Sequence, residues 1–374
     1  MDVDAVVVGA GVVGLACARE LAARGHEVIV LERHERFGVE TSSRNSEVVH
    51  AGIYYPPASL KATLCARGNP GLYAWCAAHD VPHRRLGKLI VATDPSEEPK
   101  LEEILRRAEA NGIRSLRALD PAEVRRIEPH VRATAALWSP ETGIVDSHVF
   151  MASLLADATR TGCTVAWRHT LAGVEDVPGG YRVTASTDGG EATAVTARWV
   201  VNSAGLDADT VAALAGFDVE RCGLRLHYAR GHYFRVHPRK QHLASHLIYP
   251  TPLQAGLGIH VTLDLSGGIR LGPDVEYLAT REQDYSVDED LRVPFHAAAS
   301  RYLEGLEPDD LAPDLAGIRP KLQAPGEGFR DFVIREESDR GRPGWVNLAG
   351  IESPGLTCAL EIGALVGDLL ERTS

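Results

Sequence analysis

A strand, a glycine-rich turn, a helix and a second strand follow one another over residues 4–32, and this order constrains the chain more than any other feature. Asp4–Val8 reads DAVVV, an apolar run suited to a buried parallel strand. It leads into Gly9-Ala10-Gly11-Val12-Val13-Gly14 and then into a helix-forming stretch, Leu15 to Arg24. Gly25 ends that helix, and a second buried strand, Glu27–Leu31, finishes at Glu32. In this setting Gly9 permits the tight turn, Gly11 lets backbone approach a pyrophosphate, and Gly14 lets helix and strand pack closely. The helix start offers free N–H groups and the positive end of its dipole to phosphates. Glu32 falls 18 residues after Gly14, where an acid binds ribose hydroxyls and disfavours a 2′-phosphate. Glu32, Arg33 and the turn therefore predict a site for a dinucleotide without that phosphate, NAD or FAD.

Composition narrows the partners. A chain of 374 residues has length for two domains, and 44% hydrophobic against 24% charged residues supplies real cores. The formal charge of -12, with no dense Lys/Arg run, argues against a nucleic-acid partner. No apolar run reaches the ~20 residues that span a bilayer. The opening residues carry no basic-then-apolar leader, so the expectation is a cytoplasmic protein without a transmembrane segment. Six scattered cysteines form no Cys-x-x-Cys and no zinc spacing, which predicts reduced, buried thiols and no metal.

Three later segments extend the dinucleotide reading. Thr41-Ser42-Ser43-Arg44-Asn45-Ser46 is a run of hydroxyls with one guanidinium, a cradle for an anion or an ordinary polar loop. Arg198–Leu206 is a buried strand ending in small residues, Ala204 and Gly205, ahead of a helix over 208–216. Gly344–Gly350 repeats that pattern and passes through Ile351–Gly355 into a helix over 356–372. Alternating patterns at His227–Val236 and Ile259–Leu265 suit an antiparallel sheet carrying a site on one face.

Taken together, these segments resemble the FAD-dependent oxidoreductases of the D-amino-acid-oxidase type, and within them the L-2-hydroxyglutarate dehydrogenase/oxidase group. The resemblance is carried by SSRNSEVVHAGIYYPPASLKATLC (42–65), GLGIHVTLDLSGGIRLGPDVEY (256–277), GIRPKL (317–322) and GIESPGLTCALEIG (350–363), with the opening turn. It implies an α/β fold with an α+β substrate part: a Rossmann-like FAD-binding domain interleaved with an antiparallel-sheet substrate domain. The expected boundaries are 1–82, 141–220 and 331–374 for the first, and 83–140 and 221–330 for the second. It also implies that Gly350, Gly355, Leu356 and Thr357 aim the start of the last helix at the flavin. FAD is expected to be non-covalent, because Val49 precedes His50 where covalently linked relatives carry Trp-His.

Only one dinucleotide turn occurs, so reduction by a small organic substrate is the simplest chemistry. Oxidising a 2-hydroxy acid needs a base for the hydroxyl proton and a cation for the carboxylate. The resemblance puts His260 first for the base and His50 second, and makes Arg319 of Gly-Ile-Arg-Pro the carboxylate clamp, a planar fork suited to bidentate binding. Lys321, Tyr54, Tyr55, Tyr249 and Thr262 are candidates for a second carboxylate, whereas Lys61 reads equally as a solvated helix residue. Pro273-Asp274 departs from relatives that carry Pro-Asn. The expected reaction is L-2-hydroxyglutarate to 2-oxoglutarate by hydride transfer to flavin N5. The alternatives are an amino- or imino-acid oxidase and a glycerol-3-phosphate dehydrogenase-like enzyme. A flavin-containing RNA-modification or structural partner protein fits poorly with the acidic balance. Oxygen, a quinone or an electron-transfer protein could each receive the electrons, the quinone implying peripheral membrane contact.

Overall fold

The computed structural model describes residues 1–252 and 258–373. Residues 256 and 257, which open one of the segments quoted above, lie outside that range. The chain forms two compact units. One is built from 1–43, 147–228 and 319–374, the other from 44–146 and 229–318.

The first unit is organised by the opening apolar run. Val3–Val8 lies between two parallel neighbours, Val28–Glu32 and Ala192–Asn202, and residues 5–7 are fully buried. A strand covered on both faces has to be apolar throughout, which is why its sequence does not alternate. Cys163–Trp167 pairs parallel with Val28–Glu32, and Arg342–Ala349 pairs parallel with Ala192–Asn202. The first half of Ala192–Asn202 also closes an antiparallel ladder with Gly180–Thr187, which pairs in turn with His169–Val177. Val333–Glu337 forms the remaining antiparallel strand of this eight-stranded sheet. The helix Val12–Ala23 packs against the helices Ser147–Arg160 and Gly355–Glu371.

The second unit holds a nine-stranded, mostly antiparallel sheet. Its middle runs Ile269–Leu271, Val261–Leu263, Leu247–Pro250, Lys88–Ala92, Ala135–Ser139, with Leu247–Pro250 and Lys88–Ala92 parallel. Phe234, Ile248, Val261, Leu271 and Phe295 fill the core beneath it. A small sheet of Val48–Val49, Gly143–Val145 and His83–Arg84 stands apart.

The units depart from the expected boundaries chiefly at 44–82, which group with the second unit. Val48–Val49 is hydrogen-bonded to Gly143–Val145, and Asn69 Nδ2 donates to the carbonyls of His50 (3.0 Å) and Glu141 (2.9 Å). Those long-range bonds leave no mark at residues 43–44, where nothing in the composition reads as a linker. Among the described residues no helix is long and apolar enough to cross a membrane.

Candidate active site

In the first unit the glycine turn opens onto a cavity of about 240 Å³. Of the expected residues, Gly9, Gly11, Glu32, Arg33, Thr41, Ser42, Ala204 and Gly205 line it. Gly9 has φ +101°, a backbone conformation that L side chains rarely adopt. A Cβ on Gly11 would stand 3.0 Å from Ser42 Oγ, and one on Gly14 would run into the Gly9 carbonyl. Glu32 is buried and accepts from the Ala10 N–H (2.8 Å) and the His34 N–H (2.9 Å), one on each carboxylate oxygen. Each oxygen keeps acceptor capacity for a hydroxyl. Ser42 Oγ accepts from the Val12 N–H (3.0 Å), so the hydroxyl run caps the first helix as well as lining the cavity. An adenosine and its pyrophosphate fit this site: a turn with glycines at 9 and 11, a helix start and a buried acid that would take ribose hydroxyls.

The remaining expected cofactor residues lie elsewhere. Val13 and Gly14 sit on the helix behind the turn, and Ser43 Oγ donates to the Val39 and Glu40 carbonyls (3.3 Å each). Arg44 belongs to the second unit, its guanidinium 4.0 Å over the Tyr285 ring. Gly350 follows the strand Arg342–Ala349; Gly355, Leu356 and Thr357 begin the last helix, with Gly355 and Thr357 buried. Sequence reasoning missed Glu40 and Asp207, which line the cavity and both pair with Arg33. It also missed Leu171, brought in by the strand His169–Val177. No spacing marks these three, because each arrives by tertiary folding.

In the second unit His260 and Lys88 adjoin aromatic rings, and His50 lies near the Lys88 charge. The Tyr249 and His260 rings stack at 3.6 Å with an interplanar angle of 2°. Lys88 Nζ lies 4.5 Å from the Tyr249 centroid and 4.6 Å from that of Tyr54. His50 is half-buried, its carbonyl held by Asn69 Nδ2 and the Cys65 thiol. Burial, reinforced by the nearby Lys88 charge, brings the His50 imidazole down to about 3. Burial also brings Lys88 down to about 7, against a small opposing effect of Cys65. The Tyr54 and Tyr249 phenols are pushed up, by burial first and by a neighbouring tyrosine second. Lys88 escaped sequence reasoning. Its one signal is a lysine heading Lys88–Ala92, a strand buried at every position.

Other candidates divide by what already engages them. Lys321 Nζ is 2.8 Å from Glu352 in a mostly buried ion pair that ties the strand Leu311–Lys321 to the turn before the last helix. Thr262 is buried and donates to the Arg270 carbonyl (3.2 Å). Tyr55 is half-buried and its carbonyl accepts from Asn111 Nδ2 (2.9 Å). Arg319 is half-buried on Leu311–Lys321. Lys61 is buried, not solvated. Asp274 accepts from the His232 N–H (2.7 Å) and faces His232 Nδ1 (3.0 Å), a buried pairing that accounts for an acid at this position.

Comparison with known proteins agrees with this arrangement. The family model described as FAD dependent oxidoreductase (DAO) matches residues 4–369. A mitochondrial L-2-hydroxyglutarate dehydrogenase of Arabidopsis thaliana is 42% identical, over 99% of this chain and 84% of that protein. The Homo sapiens protein of the same name is 30% identical, over 99% of this chain and 89% of that protein. Among solved structures, the dithionite-reduced L-alpha-glycerophosphate oxidase of Mycoplasma pneumoniae with FAD bound superposes with a TM-score of 0.88. It is 26% identical and covers 99% of this chain and 94% of that one. Turn, acid, parallel sheet and full-length similarity converge: this chain belongs to the DAO family of FAD-dependent oxidoreductases.

Proposed function

We propose that this protein oxidises L-2-hydroxyglutarate to 2-oxoglutarate. The observation that carries the reading is the 42% identity, over nearly the whole chain, to a protein named for that activity. FAD, when bound, supplies the two-electron acceptor for the hydrogen on C2. The chain's own residues then have two tasks. The Arg319 fork holds the C1 carboxylate, orienting the C2–H bond. His260 takes the hydroxyl proton at a ring nitrogen as the C2–O bond becomes a carbonyl, with His50 as the second acceptor. The bond electrons of C2–H leave with the hydride, so charge balances with one proton left on the protein. The stack on Tyr249 limits rotation of the His260 ring and so keeps its nitrogens in a fixed plane. Residues 44–146 and 229–318 are the substrate part in this reading, and 1–43, 147–228 and 319–374 the FAD part.

The solved glycerophosphate oxidase gives glycerol 3-phosphate a place as a second reading. Anaerobic addition of substrate to the FAD-loaded protein decides between them. L-2-Hydroxyglutarate should bleach the visible flavin absorption, while its D-enantiomer, glycine, proline and glycerol 3-phosphate leave it unchanged. Absence of bleaching by L-2-hydroxyglutarate at millimolar concentration overturns the proposal.

A further inference from the structure

Lys88 lies within the nine-stranded sheet of the second unit. Its Nζ is buried, and among the described residues no hydrogen-bond partner reaches it. No carboxylate lies within ion-pair distance of it among the described residues. A lysine can place three donors, and here all three go unused inside a strand whose every other residue is apolar and buried. What surrounds the ammonium is aromatic: the Tyr54 ring at 4.6 Å and the Tyr249 ring at 4.5 Å. An electron-rich ring face attracts a cation, which offsets part of the lost hydration. An imidazole stacked at 3.6 Å already covers one face of Tyr249, so the ammonium takes the other.

The titratable groups facing this point come from four elements. Cys65 comes from the helix Leu60–Ala78, Tyr249 from the strand Leu247–Pro250, and His50 and Tyr54 from the segment after Val48–Val49; Lys88 itself heads Lys88–Ala92. None of them is a carboxylic acid. Two nitrogen bases, Lys88 and His50, thus stand in one desolvated region where a second positive charge is costly.

We propose that Lys88 is a positioning residue for the two histidines: its ammonium adds to burial in keeping His50 unprotonated, and it backs the Tyr249 ring on which His260 stacks. The proposal rests on the reading of His50 and His260 as the proton acceptors. An acceptor has to be uncharged before substrate arrives. Lys88 becomes charged as pH falls through about 7, where an ordinary imidazole would begin to take up protons. Repulsion therefore switches on in the range where His50 needs protection. The proton ends on the amine, and the imidazole stays neutral.

The test is the pH profile of flavin reduction by L-2-hydroxyglutarate in the FAD-loaded enzyme, measured anaerobically for wild type, Lys88→Met and Lys88→Arg. Lys88→Met should move the acid limb upward by about one pH unit or more, with the loss of rate confined to pH values at and below the shifted limb. Lys88→Arg keeps the charge and should hold the limb near its wild-type position. A limb that stays put in Lys88→Met, with rates within about twofold of wild type, overturns the proposal. A second measurement needs no substrate. In histidine-labelled protein, NMR should show one imidazole, assigned with His50→Gln, still neutral at pH 5 in wild type and titrating about one unit or more higher in Lys88→Met. Titration of that ring in the ordinary histidine range overturns the inference. If wild type is not reduced by L-2-hydroxyglutarate at all, the functional reading fails while the NMR result still judges Lys88.

Discussion

A buried, unpartnered ammonium leaves a thermodynamic signature of its own. An ordinary lysine holds its proton to about 10.5, whereas burial brings Lys88 to about 7. Between those values the unfolded chain binds a proton that the folded chain does not, so stability rises with pH across that window. Below 7 both states hold the proton, and the folded state carries the full cost of a charge without hydrogen bonds. Lys88→Met should therefore raise the melting temperature at pH 6, by an amount equivalent to on the order of 3 kcal/mol, and the gain should shrink toward pH 10. Thermal melts of the FAD-loaded protein at several pH values measure it. A variant that is slower yet more stable marks a residue kept for function; one less stable at pH 6 marks a structural lysine. At this scale His50, His260 and Tyr249 were legible as residue types in motifs. The Tyr249–His260 stack was not, because Tyr249 lies on Leu247–Pro250 and His260 just ahead of Val261–Leu263, and the rings meet only through lateral placement.

At the scale of elements, the first helix is seated by the turn ahead of it. Val12–Ala23 begins so close to the Gly9 carbonyl that position 14 admits no side chain. Gly14→Ala has to push the helix start away from the turn and from the cavity beside it. The expected result is purification of the protein with little or no flavin, and at least a tenfold weaker Kd for added FAD by fluorescence titration. Retention of FAD at wild-type affinity would show that the turn can relax. The elements here were readable in outline. His227–Val236 is observed over its expected span, while the strand expected at Ile259–Leu265 is reduced to Val261–Leu263. The helix expected from Leu15 starts three residues earlier, since Ser42 Oγ takes the Val12 N–H from across the chain. An end set by a tertiary partner has no local signal.

For the whole molecule, the last stretch of chain completes a sheet begun by the first. Arg342–Ala349 pairs with Ala192–Asn202, which pairs with Val3–Val8. A buried polar network ties this junction: Asn202 Nδ2 and Trp345 Nε1 both donate to Asn347 Oδ1 (2.9 Å each), and Asn347 Nδ2 donates to Glu337 (2.9 Å). Removing part of such a network leaves buried donors and acceptors without partners. The following helix packs on the first one where Gly363 meets the Ala16 backbone, an approach a methyl group would block. A chain ended after residue 340 should lose cooperative thermal unfolding and FAD retention together, as circular dichroism and absorbance would report. A sharp melt in that truncated chain would show that the first sheet closes without its last strand.

The division between sequence and structure follows the range of the forces involved. The opening turn, its glycines and Glu32 are legible by themselves, because the whole unit occupies about thirty consecutive residues and each position answers to local sterics or to one ligand group. The acidic balance was legible too. What each base pairs with was decided by folding. Lys321 is taken up by Glu352, Arg33 by Glu40 and Asp207, and Lys88 is left buried between two tyrosine rings. Burial and partnership depend on residues far apart in the chain, and only the tertiary structure brings them together.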